Sequence, residues 1–398
     1  MHLFFPRREG LSGAASAEFL IDVHQRQPDS PRKGSESFVM RPTVNDIARE
    51  AGVSLATVDR VLNARPGVRE KTIKAVNDAI ARLGYVRDLT AANLARSRSY
   101  RMAAVLPDTE SQFVQSLAQA LTDAGQVAAT TRIELNLLRF PPEDPHALAA
   151  LLSRLPDSGY AGVALMAPET PVVRDAVRAL RARGLPVVAL VSDLPNTGRD
   201  HFIGIDNRAA GRTAGVLMGR FLGGGPGQVL VLGSSLLARD MVERRRGFDE
   251  VMLRDFPGIE VLQSLETHGS GRTLRQVVTE MLANVPDARG IYAMGDGLRA
   301  LTQALEELGL SGKLTVICHE LTPHARKALE GGEITAVITQ NLGHLARSTL
   351  RVLRAKADNL PLDAGQEQIR IEIVLRENLP PRPDVSLDSD TDTTEAAA

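Results

Sequence analysis

From Tyr100 onward the chain repeats one pattern, a short and nearly continuous apolar run followed by a longer amphipathic stretch. The apolar runs are Met102–Leu106, Ile133–Leu138, Ala161–Met166, Pro186–Val191, Gln228–Leu232, Gly290–Ala293, Leu314–Cys318 and Thr335–Thr339. Between them, 111–124, 171–183, 207–222, 239–254, 297–309 and 343–356 space their apolar residues at helical intervals. Strands that are apolar on both faces belong to parallel sheets covered by helices on both sides. More of this pattern is present than one sheet normally holds, so two similar α/β lobes are expected.

Upstream the rhythm is different. Thr43-Val-Asn-Asp46 is a helix start, followed by Ile47, Ala48 and Ala51 at helical spacing and a stop at Gly52. Ser54 then caps a second short helix carrying Ala56, Thr57, Val58, Val61 and Leu62. After the Pro66-Gly67 break, Ile73, Val76, Ile80 and Leu83 form the stripe of a third helix, with Gly84 past its end. Two helices joined by a tight turn, with Arg60 on the second, fit a helix-turn-helix. In that motif the second helix enters the major groove N-terminal end first, so its first turn meets base edges. Hydroxyls and free N–H groups there meet phosphates.

Charge divides the chain the same way. The whole sequence has a net charge of −1, which taken alone argues against a nucleic-acid binder, but residues 41–101 carry 12 Lys/Arg against 6 Asp/Glu. Residues 102–398 carry 30 against 37. A basic head on an acidic body suggests a polyanionic partner for the head alone. Residues 1–40 are rich in Ser, Gly, Pro and charge without periodicity and are expected to be disordered, as is the acidic tail 384–398. The tail shows no heptads. The single cysteine, Cys318, can form no intrachain disulfide and reads as a small buried apolar residue. No run approaches a membrane span, and the N-terminus lacks the apolar core of a secretory signal, so the expected compartment is the cytoplasm.

The run Thr43-Val-Asn-Asp-Ile-Ala-Arg-Glu-Ala-Gly-Val-Ser-Leu-Ala-Thr-Val-Asp-Arg-Val-Leu-Asn63 resembles the opening of the lac repressor/galactose repressor family of bacterial regulators, and the match continues through Gly67-Val68, Thr72 and Leu83-Gly84-Tyr85. The resemblance covers roughly 41–380. It implies a DNA-binding head at 41–86, a hinge-helix linker at 87–101, and at 102–383 a body similar to the two-lobed sugar-binding proteins of bacterial periplasms. Leu55, Ala56 and Arg60 fall where the family reads bases. Thr43, Ser54, Thr57, Asn63 and Thr72 fall at phosphate or capping positions. Arg60 has the chemistry for a bidentate contact to guanine, and Leu55 and Ala56 for apolar contact to a thymine methyl. Asp59 departs from the family's usual Ser; it can orient Arg60 or another Arg, or accept from cytosine N4. In the linker, Leu94 falls at the family's minor-groove lever with Ala91 beside it. Family members usually begin near Met40-Arg41-Pro42-Thr43, so residues 1–39 are expected to be dispensable for operator binding.

In the body the same resemblance points to Gln112 and Phe113 after the first strand, and to Ser192 and Asp193 after the fourth. It also points to Arg239 and Arg244 on the approach to Gly247-Phe248, to Asp296 and Glu320 after later strands, and to Gln340. Ile205-Asp206-Asn207 with Gly211 looks like the first crossing between lobes. Ligands in open α/β sheets sit at strand carboxyl ends. The implied effector is a sugar or polyol, with Phe113 suited to a pyranose face, and the implied partners are operator DNA and a second copy of the chain. An α/β enzyme with a DNA-binding head is the competing class. The glycines at 223–225 and 227 precede a strand rather than joining strand to helix, and no phosphate loop, His-Glu-x-x-His or nucleophile elbow is present. No catalytic residue, metal ligand or cofactor is therefore assigned.

Overall fold

The computed structural model describes residues 42–62, 66–85, 99–233, 238–266 and 271–381. The chain separates into one unit ending at Ala95 and a second beginning at Arg96. The expectations for residues 1–40, Asn63, Ala91, Leu94 and the tail 384–398 lie outside the described residues, as does nearly all of the linker.

The first unit contains α1 (Val44–Ala51), α2 (Leu55–Leu62) and α3 (Glu70–Leu83). Thr43 and Asp46 cap α1 reciprocally: the Thr43 backbone N–H and hydroxyl donate to the Asp46 carboxylate at 2.9 and 2.7 Å, and Thr43 Oγ1 accepts from Asp46 N. These bonds to the charged form, led by the Thr43 hydroxyl, hold the Asp46 carboxyl below its usual range. Gly52 closes α1 with φ 64°, a left-handed conformation that lets the next residue turn into α2. Ile47, Val58, Val76 and Ala79 are fully buried at the common centre. Ile73, expected on the buried stripe of α3, is 36% exposed, because the first turn of α3 extends past that small core.

The second unit holds two sheets. The first contains β1 (Tyr100–Pro107), β2 (Ile133–Phe140), β3 (Gly162–Leu165), β4 (Val187–Leu190) and β5 (His201–Ile203), in the order β2-β1-β3-β4-β5. All its pairings are parallel. Helices α4 (Gln112–Ala129), α5 (Pro145–Arg154) and α6 (Pro171–Ala182) connect its strands. The chain then crosses near Gly204–Asp206 into α7 (Asn207–Phe221) and the second sheet. That sheet contains β6 (Gly227–Gly233), β7 (Ile259–Glu266), β8 (Ala288–Ala293), β9 (Thr315–His319), β10 (Ala336–Gln340) and β11 (Ile371–Val374). Its order is β11-β10-β9-β8-β6-β7, so its first five strands repeat the topology of the first sheet, and only β11 is antiparallel. The connecting helices are α8 (Arg239–Asp255), α9 (Gly271–Asn284), α10 (Leu298–Glu307) and α11 (Pro323–Glu330).

After β10, α12 (Leu342–Ala357) returns to pack on α4 and β3 of the first sheet. The Tyr100 hydroxyl, at the start of β1, donates to the Asp358 carboxylate just past α12 at 2.7 Å. One apolar core therefore runs through both lobes, from Met102 and Leu106 to Phe248 and Tyr292. Every apolar run identified from Tyr100 onward is a strand. Cys318 is buried, and burial pushes its thiol up to about 12.

Candidate DNA-reading helix and ligand cleft

Helix α2 and the residue before it carry Ser54, Leu55, Ala56, Thr57 and Arg60, the residues expected to meet DNA. Ser54, Leu55, Ala56 and Arg60 are exposed, with Leu55 at 50%. Val58 points the other way and is fully buried, which fixes the face that α2 shows to solvent. Ser54 Oγ accepts from Thr57 N at 3.2 Å and lies 2.9 Å from Thr57 Oγ1, so the start of α2 is held by its own side chains. Arg60 makes no hydrogen bond or ion pair with another described residue. Thr43 is exposed at the start of α1, and Thr72 is half-buried in the first turns of α3. Ser54→Ala should lower the head's stability by about 1 kcal/mol, because a helix cap is lost. Urea unfolding of the full chain, followed by a probe in the head, measures it.

In the body, the carboxyl ends of the strands and the loops after them enclose a cleft of about 450 Å³. Thr109 to Val114, Met166 and Val191 line it from the first lobe, and Asp240, Arg244, Asp296, His319 and Glu320 from the second. Val191 follows β4 and Glu320 follows β9, the equivalent strand of the other sheet. Both hold a left-handed backbone, φ 63° and 68°, at the cleft wall. Such strain in side-chain-bearing residues persists only where the surroundings impose it.

Arg244 is the centre of the site. Its side chain is 2% exposed, and it donates to Asn207 Oδ1 at 2.9 Å, to the Met294 carbonyl at 2.7 Å and to Glu320 Oε1 at 3.3 Å. Asn207 in turn donates to the Val191 carbonyl at 3.1 Å. A buried chain of hydrogen bonds thus joins the two left-handed residues across the lobe crossing. Gln340 Nε2 also donates to Glu320, at 3.1 Å. Burial raises the Glu320 pKa despite Arg244 and these donors. Asp296 faces the cleft and accepts from Ser111 Oγ of the first lobe at 2.6 Å. Its pKa is raised as well, first by desolvation in the groove. Gln112 Oε1 accepts from His324 N at 3.4 Å, a second contact between the lobes.

Of the residues singled out in the sequence, the structure brings together Gln112, Phe113, Arg244, Asp296 and Glu320 around this cleft. Ser192, Asp193, Arg239 and Gln340 are not among its lining residues. Asp193 is held in a two-point ion pair by Arg199 and accepts from Leu194 N at 2.6 Å, so its carboxylate is committed to its own loop. Arg239 pairs with Glu243 at 2.8 Å and Glu169 at 3.4 Å. Ser192 Oγ accepts from Asp240 N at 3.4 Å, and Gln340 supports Glu320 from behind. Asp240 lines the cleft and was not anticipated. It lies four residues before Arg244, hence on the same face of α8, and that spacing was the available signal.

His319 supplies a test of pH. It is buried, and its Nε2 lies 2.8 Å from the Tyr292 hydroxyl. Desolvation first, and the Arg244 charge second, depress its pKa well below the usual value. The unfolded chain therefore binds a proton below about pH 6.5 that the folded chain refuses, so this residue's contribution is lost as pH falls through that value. Relative to His319→Asn, the wild type should lose about 1.4 kcal/mol per pH unit below pH 6.5. Urea titrations of both proteins between pH 5.5 and 7.5 measure the difference, and parallel profiles would contradict it.

Residues 43–88 match the family described as bacterial regulatory proteins, lacI family, and residues 102–361 match the periplasmic binding protein domain. Catabolite control protein A of Priestia megaterium is 31% identical over 171 residues, which cover 43% of this chain and 49% of that protein. The HTH-type transcriptional regulator RegA of Clostridium saccharobutylicum is 41% identical over 88 residues, 22% of this chain and 26% of that one. The chain thus spans half or less of these two relatives. Its match to catabolite control protein A of Staphylococcus aureus is longer, 25% identical over 251 residues, 63% of this chain and 73% of that protein. Among solved structures, a glucose-galactose binding protein from Geobacillus stearothermophilus superposes with a TM-score of 0.64 at 16% identity, over 71% of this chain and 99% of that one. A solute binding protein from Burkholderia graminis in complex with D-arabinose gives 0.63 at 22% identity, over 71% and 96%. At these identities the likeness is one of fold. Head and body together place the chain in the lacI family of bacterial regulatory proteins, with a body of the periplasmic binding protein family.

Proposed function

We propose that this protein is a sequence-specific DNA-binding transcriptional repressor whose operator affinity is set by a sugar or polyol held between the two lobes of the body. The observation that carries this reading is the face of α2, where Ser54, Leu55, Ala56 and Arg60 stand exposed on a helix anchored by the buried Val58. Arg60 would form the bidentate contact to a guanine, and Leu55 and Ala56 would pack on a thymine methyl. Ser54, Thr57, Thr43, Thr72 and Asn63 would serve phosphates and caps. Ala91 and Leu94 would act in the minor groove. The protein would work in the cytoplasm as a homodimer on a near-palindromic operator, since two heads read two half-sites.

Polar groups at the strand carboxyl ends support the cleft as the effector site, and so does the likeness in fold to a glucose-galactose binding protein and to a solute binding protein in complex with D-arabinose. Effector binding would close the lobes and bias the heads only through its differential affinity for the two states. The test is selection from random duplexes by the full chain at fixed salt, because phosphate contacts make affinity salt-dependent. Enrichment of one near-palindromic sequence is the expected result, and a flat selection would refute the reading.

A further inference from the structure

We propose that the cleft takes a polyhydroxylated ligand carrying one positive charge, an amine-substituted sugar or polyol, whose ammonium group is held by Asp240 and Asp296. The inference rests on the reading of this cleft as the effector site and goes further by assigning the ligand's charge.

The cleft holds four carboxylates, Glu110, Asp240, Asp296 and Glu320, against two guanidiniums, Arg244 and Arg299. His319 is neutral, with its pKa far below the usual value, and burial and the neighbouring Arg299 charge lower that of His324. Arg244 is engaged by Glu320, Asn207 and the Met294 carbonyl. Arg299 is exposed and forms no ion pair with a described carboxylate. Asp240, buried in the cleft, and Asp296, exposed at its wall, are thus left without an ion-pair partner among the described residues.

Asp240 is the sharper case. The residue is 6% exposed and lines the cleft, its backbone N–H is used on Ser192 Oγ, and its carboxylate has no hydrogen-bond or ion-pair partner among the described residues. Among the described residues the Asp296 carboxylate accepts one hydrogen bond, from the neutral Ser111 hydroxyl. A buried carboxylate is costly unless it is paired. Lobes closing on a neutral sugar would strip water from both acids without supplying a charge. An ammonium brings the charge and three donors together, which suits two carboxylates at once. A phosphorylated sugar would add an anion to the same space and be rejected. Among the described residues no group of three His, Cys, Asp or Glu is placed to hold a metal ion, which leaves an organic cation.

The experiment is calorimetric titration of the full chain with matched pairs: glucosamine and glucose, galactosamine and galactose, and glucamine and sorbitol. Glucose 6-phosphate is the anionic probe. In at least one pair the amine should bind about tenfold or more tightly than its neutral twin, the scale of a charge-assisted hydrogen bond. Asp240→Asn should bring that ratio close to one. Asp296→Asn, at a cleft-exposed position, is the second variant in case the first does not fold, and should reduce the ratio too. Neutral twins binding as tightly as the amines, binding of the phosphate, or an amine preference that survives both substitutions would each overturn the assignment. If no probe binds at millimolar concentration, the effector reading of the cleft falls together with this one.

Discussion

Replacing Arg244 with methionine should destabilise the body by about 3–5 kcal/mol, because it breaks a buried ion pair from one side. The substitution removes the guanidinium but keeps an apolar stem. Glu320 is left in the interior with no opposing charge, and Asn207 Oδ1 and the Met294 carbonyl lose their donor. Each of those groups then carries its own desolvation cost. The double variant Arg244→Met, Glu320→Gln should recover part of the loss, since the stranded charge is gone. Urea midpoints of the two single variants and the double variant close the cycle. Additive losses would mean that Arg244 matters only as packing.

The second large effect concerns two glycines where α7 crosses α8. A Cβ at Gly211 would lie 2.0 Å from the Arg244 carbonyl oxygen, and one at Gly247 would lie 2.0 Å from that of Arg208. Both obstacles are backbone, so no rotamer change relieves them. Helix propensity alone favours alanine over glycine by about 1 kcal/mol and predicts stabilisation. Overpacking opposes it at about 1–3 kcal/mol or more, and here the overlap is with backbone on both sides. Gly211→Ala and Gly247→Ala should therefore each destabilise, by about 3 kcal/mol. Together they should cost less than the sum, since either one already forces the helices apart. Thermal unfolding of the three proteins measures this, and a raised midpoint for either single variant would contradict it.

The same residues show what could be read from the chain alone. The pattern of apolar runs located the central strands because a strand covered on both faces must be apolar throughout. Three of the four marginal strands, β5, β7 and β11, escaped it, whereas β2 did not. β7 includes Gln263, Ser264 and Glu266, and the antiparallel β11 alternates Ile371-Glu372-Ile373-Val374, as strands with an open edge or face do. β5 has three residues, too few to make a pattern. Helix α5 is capped by Asp144, whose carboxylate accepts from His146 N and Ala147 N, but the apolar residues behind it are mostly Ala and Leu without a sharp stripe.

The cleft was legible to the level of strand ends and no further. Position after a strand says that a side chain is near the cleft, but the direction it takes depends on partners that sequence spacing does not reveal. Asp193 follows β4 as expected, yet Arg199 turns it into a loop clamp. Arg239 and Asp240 are neighbours on α8, and the helix's rotation puts the acid in the cleft and the base against Glu169 and Glu243. The head was more legible, because Thr43, Asp46, Gly52 and Ser54 act through local backbone bonds whose spacing is written in the sequence itself.

The central claim is that α2 reads base sequence through Arg60. The most direct measurement is the affinity of the full chain and of Arg60→Ala for the selected duplex and for a scrambled duplex of equal length, at one salt concentration. Wild type should prefer the selected duplex by at least about a thousandfold. Arg60→Ala should lose about 1–3 kcal/mol on that duplex, with little change on the scrambled one. Equal losses on both duplexes would make Arg60 a phosphate contact, and equal wild-type affinity for both would contradict the account outright.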